Sequence, residues 1–352
     1  MDILHIGLGE RGRQWFEMAR GRRDAVSVAC VDSDAAARQW AQRHASGLPC
    51  YERLEEALQE VKADAAVVAT PLASHAADAM AALEAGLAVM IEKPFAPNLA
   101  QGVQVMAVAH RTGHPVLVAQ NNRYRRCERA LRTLLREGKV GTVTHVSCID
   151  RRRQTAAVPG GLPVDYMQLH EVAAHHFDSL RGALGRNPVR VMAQSSQAPG
   201  SPYPYDGSTT EAFFEMEDHI PIQYYGSLTA NRDAFELRIE GEYGALRTDG
   251  RRLWWRKKGA RFFLPLRMPK ISAADALKPP REGMASLLDQ LQAAIRSGEA
   301  PETHGDDNLW SLAMTEAVMV SDRSAQSVEI ADVCAAAGMS AAAISQNQDV
   351  TP

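Results

Sequence analysis

The chain has 352 residues, 45% of them apolar, and its 39 basic and 42 acidic residues leave a net charge of −3. That length suits about two domains with a sizeable core. The near-neutral balance excludes a chain built on positive charge to hold nucleic acid or an anionic membrane. Cys30, Cys50, Cys127, Cys148 and Cys334 are scattered, odd in number and without C-x-x-C spacing. They predict reduced thiols in a cytoplasmic protein, not a disulfide framework or a zinc site. No charged leader with an apolar core opens the chain, so no signal peptide is expected, and runs such as 65–69 are far too short to span a bilayer.

In chain order, an apolar run at 3–6 leads into G-L-G-E-R-G at 7–12, and a helical pattern follows to Arg20. A second apolar run at 26–31 ends in Asp32, and Asp34 is a good N-cap for a helix over 35–44. Strands are predicted at 65–69, 87–91 and 116–119, with helices at 74–85 and 99–111 between them. Short buried strands alternating with helices predict an α/β domain, a parallel sheet covered on both faces, over residues 1–120. The pattern then changes. A helix is expected over 123–138, and extended segments at 142–149, 189–194, 212–216, 223–228, 235–240, 245–248 and 252–255. Two amphipathic helices near 282–297 and 306–323 follow. This second domain is expected to run unbroken over 121–333, with a fraying tail at 334–352.

G-x-G-x-x-G alone is a weak signal, but here it follows a strand and opens a helix, the context its chemistry needs. Gly7 suits the tight turn, Gly9 the approach of a backbone to pyrophosphate, and Gly12 close helix–strand packing. The helix start offers N–H groups and a positive dipole end to phosphates, with Glu10 and Arg11 in the same turn. Asp32 closes the second strand, where a carboxylate can take the adenosine ribose hydroxyls. A 2′-phosphate would be repelled by Asp32 and Asp34, and Arg11 offsets part of that. The expected cofactor is therefore NAD, with NADP less favoured.

Glu92-Lys93-Pro94 lies at the carboxyl end of a predicted strand, where open parallel sheets bind ligands. A lysine there can hydrogen-bond a hydroxyl or carbonyl oxygen, and Pro94 restricts its backbone. In L-H-E-V-A-A-H-H-F-D-S-L at 169–180, Glu171, His175 and Asp178 are spaced i, i+4, i+7, one stripe of a regular helix, and His176 lies about 100° away. By itself this stripe fits acid–base chemistry, a metal site or a solvated helix face.

These motifs, together with V-D at 31–32, T-P-L-A-S-H at 70–75, Q-N-N-R-Y at 120–124, G-K-V-G at 138–141 and G-E-Y-G-A-L at 241–246, resemble the Gfo/Idh/MocA oxidoreductases over about residues 3–333. The resemblance implies a Rossmann domain joined to an α+β domain with an open-faced, mainly antiparallel sheet, through which members often associate as homodimers or homotetramers. It implies Lys93 and His175 as catalytic groups, with Glu171 beside them where sugar dehydrogenases of the family often carry Asp. Thr70, Pro71, His75, Glu92 and Lys93 are implied near the nicotinamide half of the cofactor, with Gly7, Gly9, Glu10, Arg11, Gly12 and Asp32 on the rest. Lys93, Arg123, Tyr124, Arg152, His175 and Asp178 are candidates for binding substrate, Arg152 through an anionic group on a sugar. No metal is required. The expected activity is NAD-dependent hydride transfer at a hydroxyl carbon of a sugar, polyol or sugar acid. Two alternatives are a redox-neutral glycoside-cleaving enzyme using tightly held NAD transiently and a non-catalytic sugar or nucleotide sensor.

Overall fold

The computed structural model describes residues 1–154, 165–199, 201, 207–268, 281–340 and 343–344. The chain divides into two compact units, Met1–Asn121 with Ala273–Leu309, and Asn122–Ser272 with Trp310–Pro352.

The first unit carries β1 (Asp2–Ile6), α1 (Glu10–Arg20), β2 (Val26–Val31), α2 (Ala35–His44), β3 (Cys50–Tyr51), α3 (Leu54–Glu60), β4 (Ala65–Val68), α4 (His75–Glu84), β5 (Ala88–Ile91), α5 (Leu99–Thr112) and β6 (Val116–Val118). The strands form one parallel sheet in the order β3-β2-β1-β4-β5-β6. The order reverses between β1 and β4, which opens a crevice at their carboxyl ends. Strands β4 and β5 are buried along their whole length, as their uninterrupted apolar runs require of a sheet covered on both faces. Asp34 caps α2, its carboxylate accepting the Ala36 N–H at 2.9 Å, and Asn98 caps α5 by accepting the Gln101 N–H at 2.9 Å. β3 and α3 lie outside the expected elements. β3 has only two residues and pairs Cys30 with Cys50 and Val31 with Tyr51, too short a segment for periodicity to show.

The second unit carries α6 (Arg126–Arg136), β7 (Val143–Arg153), a π-helical turn at Leu169–Ala173 running into α7 (Ala174–Leu184), and β8 (Pro188–Ser196), β9 (Thr209–Met216), β10 (Ile220–Ser227), β11 (Thr229–Gly241), β12 (Gly244–Thr248), β13 (Leu253–Lys257) and β14 (Leu264–Leu266). The chain continues through α8 (Met284–Ser297), α9 (Gly305–Ser324), β15 (Val328–Glu329) and α10 (Ile330–Ala336). The strands form a nine-stranded sheet, β14-β13-β12-β11-β7-β10-β9-β8-β15, antiparallel except where β10 runs parallel to β7. One face packs on α7, where the Phe177 ring meets Phe214 and Tyr224 edge-on at 5.0 and 5.1 Å. Alternate side chains point the other way and leave Met192 and Phe213 exposed.

The expectation of one unbroken domain over 121–333 is corrected. Helix α8 and the segment after it belong to the first unit. Gln292 donates to the Asp24 carbonyl at 3.0 Å, Arg22 pairs with Asp289 at 2.5 Å, and the Val118 N–H donates to the Thr303 carbonyl at 2.8 Å. An amphipathic pattern shows that a helix buries one face but not which sheet it covers. The expected tail also begins too early. Cys334 is fully buried within α10, and the residues after 344 lie outside the described ones.

Candidate functional site

The first unit builds a cradle from the G-L-G-E-R-G turn. Gly7 has φ +89°, and a Cβ there would come within 2.6 Å of the Ala69 carbonyl oxygen. A Cβ on Gly12 would overlap the Gly7 carbonyl. Gly9 differs, since a Cβ there would meet nothing within 4 Å. The protein's own packing does not require glycine at 9, so its bare surface leaves room for a ligand. Gly9 is also the N-cap of α1 and supplies no side-chain cap, so no side chain occupies the start of that helix.

Asp32 follows β2 directly, with its carboxylate turned back over this loop. It accepts the Leu8 N–H at 2.6 Å and the Asp34 N–H at 2.8 Å, which fixes its orientation. Arg38 donates to the Asp32 carbonyl at 2.7 Å and to Glu52 at 3.0 Å, and Arg11 donates to Gln14 at 3.0 Å. Glu10 is exposed at the mouth and accepts from Gln14 at 3.3 Å. These residues fit a dinucleotide, with an open glycine face and helix start for phosphates and an oriented carboxylate for ribose hydroxyls.

Thr70 and Pro71 follow β4, and Glu92 and Lys93 follow β5, so both turns stand at the carboxyl end of the sheet. Glu92 is buried. Its carboxylate accepts the Trp15 indole N–H at 2.6 Å and the Lys93 backbone N–H at 3.1 Å. Lys93 is 9% exposed. His75 is buried, with Nδ1 at 2.8 Å from the Pro94 carbonyl oxygen and Nε2 at 2.8 Å from that of Thr70. The Thr70 hydroxyl donates to Asp78 at 2.7 Å, and burial raises the Asp78 carboxyl above its usual range.

In the second unit the regular stripe expected at Glu171, His175 and Asp178 is interrupted between Glu171, which lies in a π-turn, and His175 and Asp178, which stay i, i+3 within α7. The π-turn at Leu169–Ala173 inserts one extra residue, which slips the helix face by roughly 100° across it. Glu171 is exposed, His175 is half-buried, and Asp178 is completely buried. Asp178 holds Arg123 through two bonds, Nε to Oδ2 at 2.7 Å and Nη2 to Oδ1 at 2.8 Å, and accepts the Ser311 hydroxyl at 3.1 Å. Two expected substrate ligands thus meet each other in a fork. Tyr124 is buried under the Arg129 guanidinium, 5.4 Å from its ring centre. Arg152 is half exposed and donates from Nε to Asp150 at 2.8 Å.

Sequence reasoning missed several partners. Burial raises the Asp150 carboxyl, and Arg152 opposes that shift. Beside it lies His176, set aside in the sequence as pointing away from His175. Its Nδ1 is 3.2 Å from the Tyr224 hydroxyl, which accepts from Gln168 at 2.7 Å. Burial, then Arg152 and Arg125, push the His176 pKa down to about 3, so the ring is neutral. The H-H pair and the acid ending an apolar strand were visible signals for His176 and Asp150. Nothing local marked Trp15, Tyr224 or Ser311.

Among the described residues no group of three or more His, Cys, Asp or Glu side chains is placed to hold a metal, and no helix is long and apolar enough to cross a membrane. A cleft of about 700 Å³ lies in the first unit, lined by Asp64, Gly86, His110, His114 and His304. It sits at the amino ends of β4 to β6, opposite the Gly7, Thr70 and Lys93 turns.

A parallel sheet in this order with this glycine cradle defines a dinucleotide-binding Rossmann domain. The chain matches the family model described as "Oxidoreductase family, NAD-binding Rossmann fold" over residues 1–120, and the "GFO/IDH/MocA C-terminal domain" over residues 129–247. It belongs to the Gfo/Idh/MocA oxidoreductase family. It is 27% identical to a D-apiose dehydrogenase of Paraburkholderia graminis, over 92% of this chain and 88% of that one. It is 25% identical to an inositol 2-dehydrogenase of Rhizobium meliloti, over 93% of this chain and 98% of that one. An oxidoreductase from Agrobacterium radiobacter, solved with NAD+, L-tartaric acid and magnesium, shares the fold with a TM-score of 0.82. Its sequence identity is 19%, over 94% of this chain and 99% of that one.

Proposed function

We propose that this chain is an NAD-dependent dehydrogenase that moves a hydride between a hydroxyl-bearing carbon of a sugar, polyol or sugar acid and the nicotinamide. The observation that carries this reading is Lys93. It is a buried lysine at the carboxyl end of β5, its backbone held by Glu92, on the same sheet edge as the glycine cradle. The named activities of the D-apiose and inositol dehydrogenases support the substrate class.

Bound NAD supplies the hydride acceptor. Gly9 and the first N–H groups of α1 hold its pyrophosphate, Asp32 takes the adenosine ribose hydroxyls, and Thr70 and Pro71 border the other half. Asp32 and Asp34 repel a 2′-phosphate, and the nearby Arg38 is already committed to Glu52, so NAD is preferred over NADP. Lys93 donates a hydrogen bond to the substrate oxygen and stabilises negative charge there. His175 takes the hydroxyl proton during oxidation and returns it during reduction, a task suited to imidazole near neutral pH. Glu171 binds a further hydroxyl. Arg152 takes the carboxylate of a sugar acid, and Tyr124 is a further substrate contact. Arg123 and Asp178 act on each other and hold α7. The exposed apolar side chains of the nine-stranded sheet favour a homodimer or homotetramer.

The test is the near-ultraviolet absorbance of NADH formed from NAD across sugars, polyols, sugar acids and glycosides. Lys93→Met and His175→Ala each lower turnover about 10²- to 10⁴-fold. Unchanged turnover in both variants sinks the reading, and tighter binding of NADPH than of NADH sinks the cofactor preference. NADH binding with no net reduction of NAD by any substrate shifts the reading to redox-neutral cleavage or sensing.

A further inference from the structure

We propose that His75 is a positioning residue that ties the Lys93 turn to the Thr70 turn, instead of contacting the cofactor. This inference rests on the reading of Lys93 given above. The turns after β4 and β5 each contain a proline, Pro71 and Pro94, which has no backbone N–H to donate. A buried carbonyl still needs a donor. The His75 ring lies between the two, with Nδ1 2.8 Å from the Pro94 carbonyl oxygen and Nε2 2.8 Å from the Thr70 carbonyl oxygen; each neutral tautomer donates to one of these carbonyls, and a ring protonated at both nitrogens donates to both.

The same first turn of α4 grips Thr70 a second time. Asp78 stands three residues on from His75, on the same helix face, and accepts the Thr70 hydroxyl at 2.7 Å. Lys93 is therefore held from both sides. Glu92, itself fixed by the Trp15 indole, accepts the Lys93 N–H at 3.1 Å, and His75 holds the carbonyl of the next residue. Both ring nitrogens of His75 face main-chain oxygens and the ring is 3% exposed, which turns it away from a ligand. What it fixes is the backbone from which the Lys93 ammonium projects. A displacement of about 1 Å there is enough to cost a large part of the rate.

The experiment uses the full chain and the variants His75→Ala and His75→Gln. The rate of reductive methylation of Lys93 is followed by peptide mass spectrometry, with exposed Lys62 and Lys258 as internal references. Losing the tie raises Lys93 labelling about fivefold to thirtyfold in His75→Ala, through more frequent local opening, with the reference lysines unchanged. His75→Gln keeps one donor, gives an intermediate rate, and decides the matter if the alanine variant does not fold. NADH affinity stays within about twofold, and His75→Ala adds nothing further to the turnover loss of Lys93→Met, as expected for residues acting as one unit. Unchanged Lys93 labelling in the folded variants overturns the proposal. Loss of NADH binding with unchanged labelling overturns it in favour of a direct cofactor contact. The labelling needs no substrate, so it decides the tie even if no substrate in the panel is oxidised.

Discussion

Replacing Arg123 by Met removes one half of a buried ion pair and takes two charge-assisted bonds from the other half. The two side chains are 5% and 0% exposed, and two bonds of 2.7 and 2.8 Å join them. After the substitution the Asp178 carboxylate keeps the Ser311 hydroxyl among its described partners and cannot reach water. Stranding one member of such a pair costs about 3–5 kcal/mol. For a unit of this size that lowers the melting temperature by on the order of 10 °C. The cost comes from a buried carboxylate that has lost its counter-charge in Arg123, so the double variant Arg123→Met with Asp178→Leu recovers much of the loss instead of adding to it. Urea and thermal unfolding followed by circular dichroism read both quantities. If Arg123→Met costs less than about 1 kcal/mol, or if the two substitutions add, the pair is not the brace described here. Arg123 and Asp178 would then be available to substrate, as the sequence suggests.

The cradle gives a contrasting pair of variants. Gly9→Ala has open space, so it keeps the melting temperature, but its methyl occupies the phosphate side and NADH affinity falls about tenfold or more. Gly12→Ala overlaps the Gly7 carbonyl and loses stability as well. Fluorescence titration with NADH beside thermal unfolding separates the two, and equal behaviour of both variants defeats the reading. His176 predicts an acid limb. Its folded pKa of about 3 lies below the ordinary imidazole value of about 6.5, so between those values the unfolded chain binds a proton that the folded chain excludes. Its stabilising contribution is complete above the upper value and is lost as pH falls towards the lower one, at about 1.4 kcal/mol per pH unit. Urea unfolding across that window gives a slope shallower by one proton in His176→Gln, and parallel slopes refute the assignment.

Much of this molecule follows from residues close in sequence. Asp34 caps α2 and Gly7 takes the left-handed turn because caps and turns depend on atoms a few residues apart. The apolar runs of β4 and β5 announce a sheet buried on both faces, and three glycines between a strand and a helix announce the dinucleotide cradle. Periodicity assumes a regular helix, so it put Glu171, His175 and Asp178 on one stripe. The π-turn at Leu169–Ala173 takes Glu171 out of register with His175 and Asp178, and a single extra residue in a helical turn leaves no mark on apolar spacing. Tertiary structure also chose the partners. Asp178 meets Arg123 across 55 positions, and Trp15 meets Glu92 across 77. Helix α8 returns to the first sheet, and His75 comes to rest between two carbonyl oxygens. A residue's type shows which bonds it can make, but its partner depends on which chain segments the fold packs against it.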